Sequence, residues 1–379
     1  MAPEKLQRAL VMTGGGARGA YQAGVLKYIS ENVPGAHFDT LVGASAGAIN
    51  IAGLAAHKGC VFTAGPHIAQ LWSNLRMNQV FRTDFLSLMW IGLRWLYDLL
   101  FGGVLGKPMA HGFVDTKPLA HLLERELKLE NIDAAIDEGN VRHVAISCTE
   151  VYTGCLVTFV QSKEFQDWFR ARKRSRRARI RVEHIMASAA IPLLFPSRLV
   201  GNRRYVDGCI RATTPLSPAA RLGADKILAV GVRQYYTEEF SKDWLAEPAE
   251  PEPKASISQR GALVLNSLFA ENLDADVDHL DRLNKTLGNQ RLAGFKPIDI
   301  LVIRPSVDLG RMAVRFHEQL PPLVRYLLRG LGSEAGETSD ILSYLLFTPD
   351  YLTALVNLGY EDAKIRHAEI AEFFSDRRA

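Results

Sequence analysis

Residues 41–50 read LVGASAGAIN, an apolar run that enters a Gly-Ala-Ser-Ala-Gly stretch and leaves into small helix-forming residues. The pattern predicts a strand over Thr40–Gly43, a tight turn at Ser45 and a helix over Ala46–His57. Two interpretations are open for the serine. Either the turn needs only small residues, or Ser45 is a nucleophile held on a strained elbow.

The sequence around the elbow has the alternating order of an α/β protein. Ala9–Thr13 is a short apolar strand, glycines follow, and Ala17–Ser30 is predicted to be a helix. This strand-helix-strand-helix opening predicts an α/β fold whose mainly parallel sheet carries helices on its faces. Further strands are predicted from Lys226 and Ile298, and a hairpin from Val141.

Composition divides the 379 residues into three expected parts. A hydrophobic content of 47% and a charged content of 23% are typical of a globular protein. The α/β domain is expected over residues 8–235, and the acidic, proline-rich residues 236–256 form a loop or linker. Residues 257–379 are expected to be mostly helical, and the strand near 298–304 is a candidate to complete the sheet.

The charge and cysteine patterns limit the classes of partner and compartment. A net charge of +4 suits anionic lipid as well as nucleic acid. The four cysteines have no metal-binding spacing, which favours free thiols in a reducing compartment; they are Cys60, Cys148, Cys155 and Cys209. The N-terminal apolar run ends in glycines, so it is expected to be the first strand and not a secretory signal. A cytoplasmic location, peripheral on the membrane or free, follows as the expectation.

One segment, FLSLMWIGLRWLYDLLFGGVL over Phe85–Leu105, has the length of a membrane span. Arg94 and Asp98 lie inside it, and a charge near the centre of a span costs about 2.5–3.5 kcal/mol. The segment is therefore predicted to be a buried or interfacial helix. A lid that admits acyl chains and a core helix remain equal alternatives.

The glycine motif TGGGARGAYQAG, which begins at Thr13, has two interpretations. Gly14, Gly16 and Gly19 satisfy the dinucleotide-binding pattern G-x-G-x-x-G, with Asp39 about twenty residues further on. That pattern requires its acid at the carboxyl end of the second strand, whereas Asp39 precedes this strand. Dinucleotide binding is therefore disfavoured.

In the second interpretation, the consecutive glycines aim backbone N–H groups at a single anion. With the positive end of a helix behind them, the N–H groups of Gly14, Gly15 and Gly16 would form an oxyanion hole for ester cleavage. Arg18 would either contact a substrate phosphate or bond neighbouring carbonyls and orient the loop.

The GASAG stretch matches G-x-S-x-G in the strand-turn-helix context that gives the motif its meaning. Gly43 and Gly47 leave room for a cramped turn. Such a serine needs a base, and three late histidines are poor candidates because each lies in charged helical sequence: His279, His317 and His367. Asp207 in YVDGC is the better candidate, since it follows a strand and Gly208 allows a sharp turn.

Four motifs, GGGARGAYQAGVL, GASAG, ASAAIPLLFP and VDGC, occur in this order, and together they resemble the patatin-like phospholipase family. The resemblance covers roughly residues 8–235. It implies a three-layer α/β/α fold, Ser45 as nucleophile, Asp207 as base, and an oxyanion hole at residues 14–16. It implies no metal or organic cofactor. The family often has Asp-Gly-Gly at the base, and Cys209 stands here in place of the last glycine.

The strongest charge block, RARKRSRRARIR over Arg170–Arg181, suggests how the protein would meet lipid. Four of its arginines could draw anionic headgroups: Arg174, Arg176, Arg177 and Arg179. A solvated charged helix without a partner is the alternative, and no nucleic acid is expected. The function predicted is hydrolysis of phospholipids or lysophospholipids through an acyl-serine, with a catalytically idle membrane-associated regulator as the main rival. Oligomeric state is not predicted.

Overall fold

The computed structural model describes residues 6–58, 63–82, 114–192, 194–212, 215–234, 273–288, 296–322, 325 and 339–375. The predicted linker 236–256 and the apolar segment 85–105 lie outside these ranges. Within them, no helix has both the length and the hydrophobicity that crossing a membrane requires.

The described strands join in one sheet. They are β1 Arg8–Met12, β2 Thr40–Gly43, β3 His143–Glu150, β4 Leu156–Ser162, β5 Phe169–Arg170, β6 Lys173–Arg177, β7 Arg198–Val200, β8 Arg203–Asp207, β9 Lys226–Val230 and β10 Asp299–Ile303. The order is β10-β9-β1-β2-β3-β4-β6-β5, with β8 pairing both β3 and β7. Strands β10, β9, β1, β2 and β3 run parallel, which confirms the predicted α/β class.

Helices cover both faces of this sheet. They are α1 Gly19–Asn32, α2 Ala46–Ala56, α3 Ala64–Asn74, α4 Met77–Val80, α5 Lys117–Glu126, α6 Asn131–Asp137, α7 Val182–Ser188, α8 Ser217–Arg221, α9 Leu273–Leu287, α10 Leu309–Val314, α11 Ser339–Leu345, α12 Pro349–Ile365 and α13 His367–Phe374. Short 3-10 turns lie at Gly16–Arg18, Gly208–Ile210 and His317–Gln319.

The side chains of β1 alternate between two apolar clusters, one on each face of the sheet, and this alternation shows the three layers. Leu10 and Met12 belong to the apolar cluster that includes α1, α2, α3 and α12, whereas Ala9 and Val11 belong to the cluster that includes α8 and α9. A strand buried on both faces has to be apolar throughout. The predicted α/β/α arrangement is therefore confirmed, and the near-continuous apolar runs in the sequence are explained.

The arginine block contains a strand and is not the solvated charged helix that was one alternative for it. That alternative is therefore wrong for these residues. Lys173–Arg177 form β6, which pairs with β4 and with the two-residue strand β5. Ala171 and Arg172, with φ of 37° and 68°, make the tight turn between β5 and β6. Side chains that alternate across a strand let the block place its charges on both faces, near the edge of the sheet where they stay hydrated.

Candidate active site

Two loops meet at the carboxyl edge of the parallel sheet. Strands β1 and β2 end side by side, with Met12 opposite Gly43 in the register. The glycine-rich loop follows the first strand and the GASAG turn follows the second. Because neighbouring parallel strands end at the same edge, the two motifs are brought into contact.

Ser45 occupies a strained backbone conformation at the start of α2, with φ 53° and ψ −125°. A non-glycine residue in such a region costs on the order of 1–3 kcal/mol and persists only where its surroundings hold it. The flanking glycines permit the turn. A Cβ on Gly47 would lie 2.2 Å from the carbonyl oxygen of Met12, and one on Gly43 would lie 2.6 Å from the carbonyl oxygen of Gly47.

The hydroxyl of Ser45 donates a 2.6 Å hydrogen bond to Oδ2 of Asp207. Asp207 ends β8, which runs antiparallel to β3 and places the carboxylate level with Cys148. The other carboxylate oxygen, Oδ1, accepts the backbone N–H of Cys209 at 2.8 Å. A Cβ on Gly208 would lie 2.1 Å from the carbonyl oxygen of Ser147, so the turn after the aspartate requires glycine.

Burial sets the proton affinity of the Asp207 carboxyl. The residue is only 1% exposed, and desolvation raises its pKa to about 6, while hydrogen bonds from Ser45 and Cys209 act in the opposite direction. A carboxylate with a pKa close to neutrality is a better proton acceptor than an exposed aspartate and is still ionised at pH 7.

The glycine loop approaches the serine closely. A Cβ on Gly14 would lie 2.6 Å from Cβ of Ser45, so only glycine allows this contact. Gly16 has a φ of 53° and begins the 3-10 turn that leads into α1. Among the described residues, the N–H groups of Gly14, Gly15 and Gly16 donate to no protein acceptor. The glycine loop therefore lies against Ser45, with Gly14 in the closest contact.

The Arg18 side chain is buried and faces the C-terminal part of the chain. Its Nε donates to the hydroxyl of Ser343 at 2.7 Å, and its guanidinium lies 4.2 Å from the ring centroid of Tyr344. With the side chain 2% exposed, these contacts tie the glycine loop to α11. Of the two alternatives, loop orientation has the more direct structural support.

Sequence analysis missed Ser188, which supports the elbow. Its hydroxyl accepts the backbone N–H of Ser45 at 2.9 Å and donates to the carbonyl oxygen of Ser147 at 2.7 Å. The motif ASAAIPLLFP contains this serine, so the signal was present in the sequence without a role attached. Thr149 was also missed; its hydroxyl donates to the carbonyl oxygen of Asp207 at 2.9 Å.

The four arginines nominated for lipid contact lie on or just after β6, and all of them interact with other residues of the protein, Arg176 with Tyr205. Arg174 pairs with the buried Glu150 at 2.5 Å, and Arg179 pairs with Asp133 at 2.7 Å. The guanidinium of Arg177 lies over the ring of Phe165 and donates to two backbone carbonyls. Arg176 is exposed.

Several sequence candidates lie away from the site. Asp39 is at the amino end of β2, where its carboxylate accepts the N–H of Arg8 at 2.9 Å, so it is at the edge opposite the glycine loop. His367 bonds the hydroxyl of Tyr28. Cys155 is a free thiol, whereas the buried free thiol Cys148 lies opposite Asp207 in the β3–β8 register and is therefore close to the site. Within the described ranges, no group of three His, Cys, Asp or Glu side chains could hold a metal ion.

A narrow apolar cavity opens beside Ser45. Its volume is about 30 Å³, and its walls include Trp72, Leu119, Phe195 and Phe347. Phe347 comes from the segment after α11, so the C-terminal region contributes to the wall of the site. The surroundings of the hydroxyl are therefore apolar apart from the Asp207 carboxylate and the loop N–H groups.

One comparison with known proteins indicates a family. A family model described as Patatin-like phospholipase matches residues 10–220, more than half of the chain. A sequence comparison with curated proteins finds no match.

Three solved structures resemble the chain. VipD from Legionella pneumophila is 13% identical with a TM-score of 0.38, covering 97% of this chain and 67% of that chain. Human GIVD cytosolic phospholipase A2, solved with methyl gamma-linolenyl fluorophosphonate, is 13% identical with a TM-score of 0.43, covering 97% and 59%. The ExoU–SpcU complex of Pseudomonas aeruginosa gives 16% identity and a TM-score of 0.29, covering 96% and 70%. The chain spans less than two thirds of the human phospholipase chain.

Proposed function

This chain belongs to the patatin-like phospholipase family, a family of lipid hydrolases, and from that premise we propose that it is a serine acyl hydrolase of phospholipids or lysophospholipids. One observation carries the proposal: the 2.6 Å hydrogen bond from the Ser45 hydroxyl to the buried Asp207 carboxylate. A serine at positive φ, bonded to a carboxylate with a raised pKa, has the arrangement of a nucleophile and its general base.

In the proposed acylation step, Ser45 Oγ attacks the ester carbonyl carbon while Asp207 Oδ2 accepts the hydroxyl proton. The carbonyl oxygen becomes an oxyanion, which the N–H groups of Gly14, Gly15 and Gly16 bind together with the positive end of the 3-10 turn. Collapse of the tetrahedral intermediate breaks the ester bond. Asp207 returns the proton to the departing alkoxide, which leaves as the alcohol product.

Deacylation uses the same groups. Asp207 accepts a proton from a water molecule as that water attacks the acyl-serine carbonyl carbon. A second tetrahedral oxyanion forms in the glycine loop and collapses to release the fatty acid, and Ser45 Oγ recovers its proton from Asp207. Every step uses groups of this chain and water alone.

The catalytic unit in this proposal is residues 8–235 extended at the sheet edge by β10. Residues 257–379 would form a mostly helical region that covers the unit. Two contacts support this division of roles: β10 pairs in parallel with β9, and Phe347 lines the cavity at Ser45.

A lipid surface is the proposed partner, approached peripherally. Arg174, Arg176, Arg177 and Arg179 remain candidates for headgroup contact, although they run along and beyond β6 away from the catalytic edge. Two exposed side chains in turns at the catalytic edge form a separate candidate surface. Tyr152, in the turn between β3 and β4, is 96% exposed, and Arg172 lies at the turn between β5 and β6. Basic and aromatic side chains together suit an anionic membrane interface.

Vesicle binding tests this partner. Arg176→Gln, Arg177→Gln and Arg179→Gln are combined in one variant, and Tyr152→Ser with Arg172→Gln in another, while Arg174 is kept because it pairs with buried Glu150. Weaker sedimentation with anionic vesicles in either variant supports the contact. Unchanged sedimentation of both variants would remove both surfaces from the proposal.

The activity itself is tested by fatty-acid release from mixed phospholipid vesicles. Wild type is expected to release fatty acid, and folded Ser45→Ala and Asp207→Asn are expected to release at least a thousandfold less. Equal release by all three proteins would reject the Ser45 site. If none of the three proteins released fatty acid or hydrolysed soluble esters, the catalytically idle regulator would be favoured.

A further inference from the structure

A second, larger cavity lies between helices α2, α3 and α5. Its volume is about 330 Å³, inside the range of about 300–1,000 Å³ that small-molecule sites occupy. Half of its lining residues are aliphatic, including Ile68, Leu71, Leu122 and Leu123. Polar side chains, among them Gln79 and Arg125, stand around it. The proposed chemistry at Ser45 assigns no role to this space.

This cavity adjoins the narrow one at Ser45. Four side chains line both cavities: Ile49, Trp72, Leu75 and Leu119. The narrow cavity, at about 30 Å³, holds only one or two water molecules. The shared residues therefore form a constriction between the reacting serine and a much larger apolar space.

The path between the two follows one face of α2. Ser45, Ile49 and Gly53 are spaced four residues apart, and residues at that spacing stack along one side of a helix. Ser45 and Ile49 line the narrow cavity, and Ile49 and Gly53 line the larger one. Eight residues of helix span about 12 Å, so the path from Ser45 to Gly53 is about 12 Å long.

Gly53 has no steric reason to be glycine. A Cβ there would make only ordinary contacts, 3.4 Å from Cγ1 of Ile68 and 3.6 Å from Cδ2 of Leu127. Gly47 in the same helix differs, because its Cβ would collide with the backbone of Met12. Glycine inside a helix is destabilising relative to alanine. The absence of a side chain at Gly53 leaves the cavity open.

We propose that the larger cavity receives the distal part of the substrate's acyl chain, with Gly53 keeping it open and Leu119 at the constriction that controls entry. This inference rests on the proposed acyl hydrolase function and extends it to a chain-length preference. The four residues that the two cavities share are apolar, and a linear alkyl chain matches a path that begins at Ser45 and continues along a helix face. Each buried methylene then adds to binding, so long chains are preferred over short ones.

The first test compares hydrolysis of p-nitrophenyl palmitate and p-nitrophenyl butyrate, as the ratio of kcat/KM for long over short chain. Gly53→Leu fills the cavity and is expected to lower this ratio at least tenfold. Leu119→Ala widens the constriction and is expected to raise it. The matched control is Leu280→Ala, a leucine of similar burial in the cluster on the opposite face of the sheet, which is expected to keep the wild-type ratio.

A binding measurement makes the result independent of turnover. Palmitate is titrated calorimetrically into Ser45→Ala and into the Ser45→Ala, Gly53→Leu double variant, with circular dichroism to verify folding. At least tenfold weaker binding by the double variant supports the cavity as the acyl site. Equal palmitate affinity, or palmitate-to-butyrate ratios within twofold of wild type for both Gly53→Leu and Leu119→Ala, overturns it. Absence of ester hydrolysis by wild type would instead reject the proposed function, and the palmitate titration would still decide the role of the cavity.

Discussion

Ser188 holds the backbone of Ser45 in place: its hydroxyl accepts the Ser45 N–H at 2.9 Å while donating to the carbonyl of Ser147 at 2.7 Å. Ser188 is fully buried at the end of α7, and the strand β3 that carries Ser147 is buried as well. One hydroxyl thus links the strained elbow, a central strand and the helix of the ASAAIPLLFP motif. This link helps to explain how a non-glycine residue is kept at positive φ.

Ser188→Ala is expected to destabilise the protein by about 1–3 kcal/mol, because it leaves the Ser45 N–H and the Ser147 carbonyl without this partner. Hydrolysis is expected to fall as well, since the elbow loses its brace. Urea unfolding and soluble-ester hydrolysis measure the two effects. Ser375→Ala, which removes an exposed hydroxyl bonded to Glu372, is the control and should change stability by less than about 0.5 kcal/mol. A Ser188→Ala protein as stable as wild type would contradict the proposed brace.

Activity is expected to depend on the ionisation of Asp207. The carboxyl must be deprotonated to accept the serine proton, and its pKa is about 6. The kcat/KM for a soluble ester should therefore fall as the pH drops below about 6, tenfold per pH unit well below the pKa. A profile measured from pH 4.5 to 8 checks this. An acid limb at the pKa of an ordinary exposed aspartate would show that Asp207 is not the titrating base.

The same raised pKa predicts a stability cost at neutral pH. The folded protein holds the Asp207 proton more tightly than the unfolded chain, whose carboxyl titrates near 3.8. The stabilising effect of that proton is therefore fully present below pH 3.8 and is lost as the pH rises through about 6. Asp207→Asn cannot ionise. Its free energy of unfolding, relative to wild type, should rise by roughly 1–3 kcal/mol between pH 4 and pH 7.5.

Urea unfolding of both proteins at the two pH values tests this cost. The comparison uses the change with pH, so a constant effect of the amide on packing cancels. A difference in the free energy of unfolding between Asp207→Asn and wild type that does not grow with pH would contradict a buried Asp207 carboxyl with a raised pKa.

Cys209 lies beside the glycine loop, so its alkylation is expected to block the candidate active site. Its Sγ would be 2.2 Å from a Cβ on Gly14, and its thiol hydrogen-bonds the Asp207 carboxylate, which lowers the pKa of that carboxyl. Iodoacetamide is expected to inactivate wild type, because the added group would fill the space at the glycine loop. Cys209→Ala should stay active under the reagent, and the acid limb of its pH profile should move upward.

Cys155→Ala provides the comparison, since Cys155 is also a half-buried free thiol but lies in the connection between β3 and β4. This variant should remain as sensitive to iodoacetamide as wild type. Inactivation of Cys209→Ala at the wild-type rate would place the sensitive group elsewhere.

Arg18→Ala separates the two roles considered for this residue. The guanidinium bonds Ser343 and stacks on Tyr344, so its loss should loosen the glycine loop for every substrate. We expect kcat/KM to fall by a similar factor for a phospholipid and for an uncharged ester. A loss confined to the phospholipid would indicate a phosphate contact. Unfolding measurements on the same variant should show a loss of about 2–4 kcal/mol, because buried partners are left unpaired.

Sequence reasoning located the opening of the fold closely. β2 occupies the predicted Thr40–Gly43, and α2 ends one residue before the predicted boundary. These elements are strongly periodic or bounded by glycine, so local chemistry decides them. The arginine block is the contrast. Its charges suggested a solvated helix, but pairing with β4 made it a strand, and such pairing depends on residues distant in the sequence.

The candidate site shows the same division. Sequence motifs nominated Ser45, Asp207 and the three loop glycines, and the structure brings them together at one edge of the sheet. The roles of Ser188 and Thr149 could not be predicted, because each is defined by a hydrogen bond to a backbone group on another element. The larger cavity, proposed as the acyl site, could not be predicted from the sequence either, since it is the space left between three helices.

By itself, the sequence determined the strand-turn-helix at Ser45, the glycine loop before α1 and the α/β class, because turn chemistry and hydrophobic periodicity act over a few neighbouring residues. The sequence also nominated Asp207 as the base, but only the tertiary structure decided that its carboxylate meets the serine. Asp207 is 162 positions away in the chain. Its proximity, its burial and its raised pKa all arise from the antiparallel pairing of β8 with β3, which no local pattern encodes.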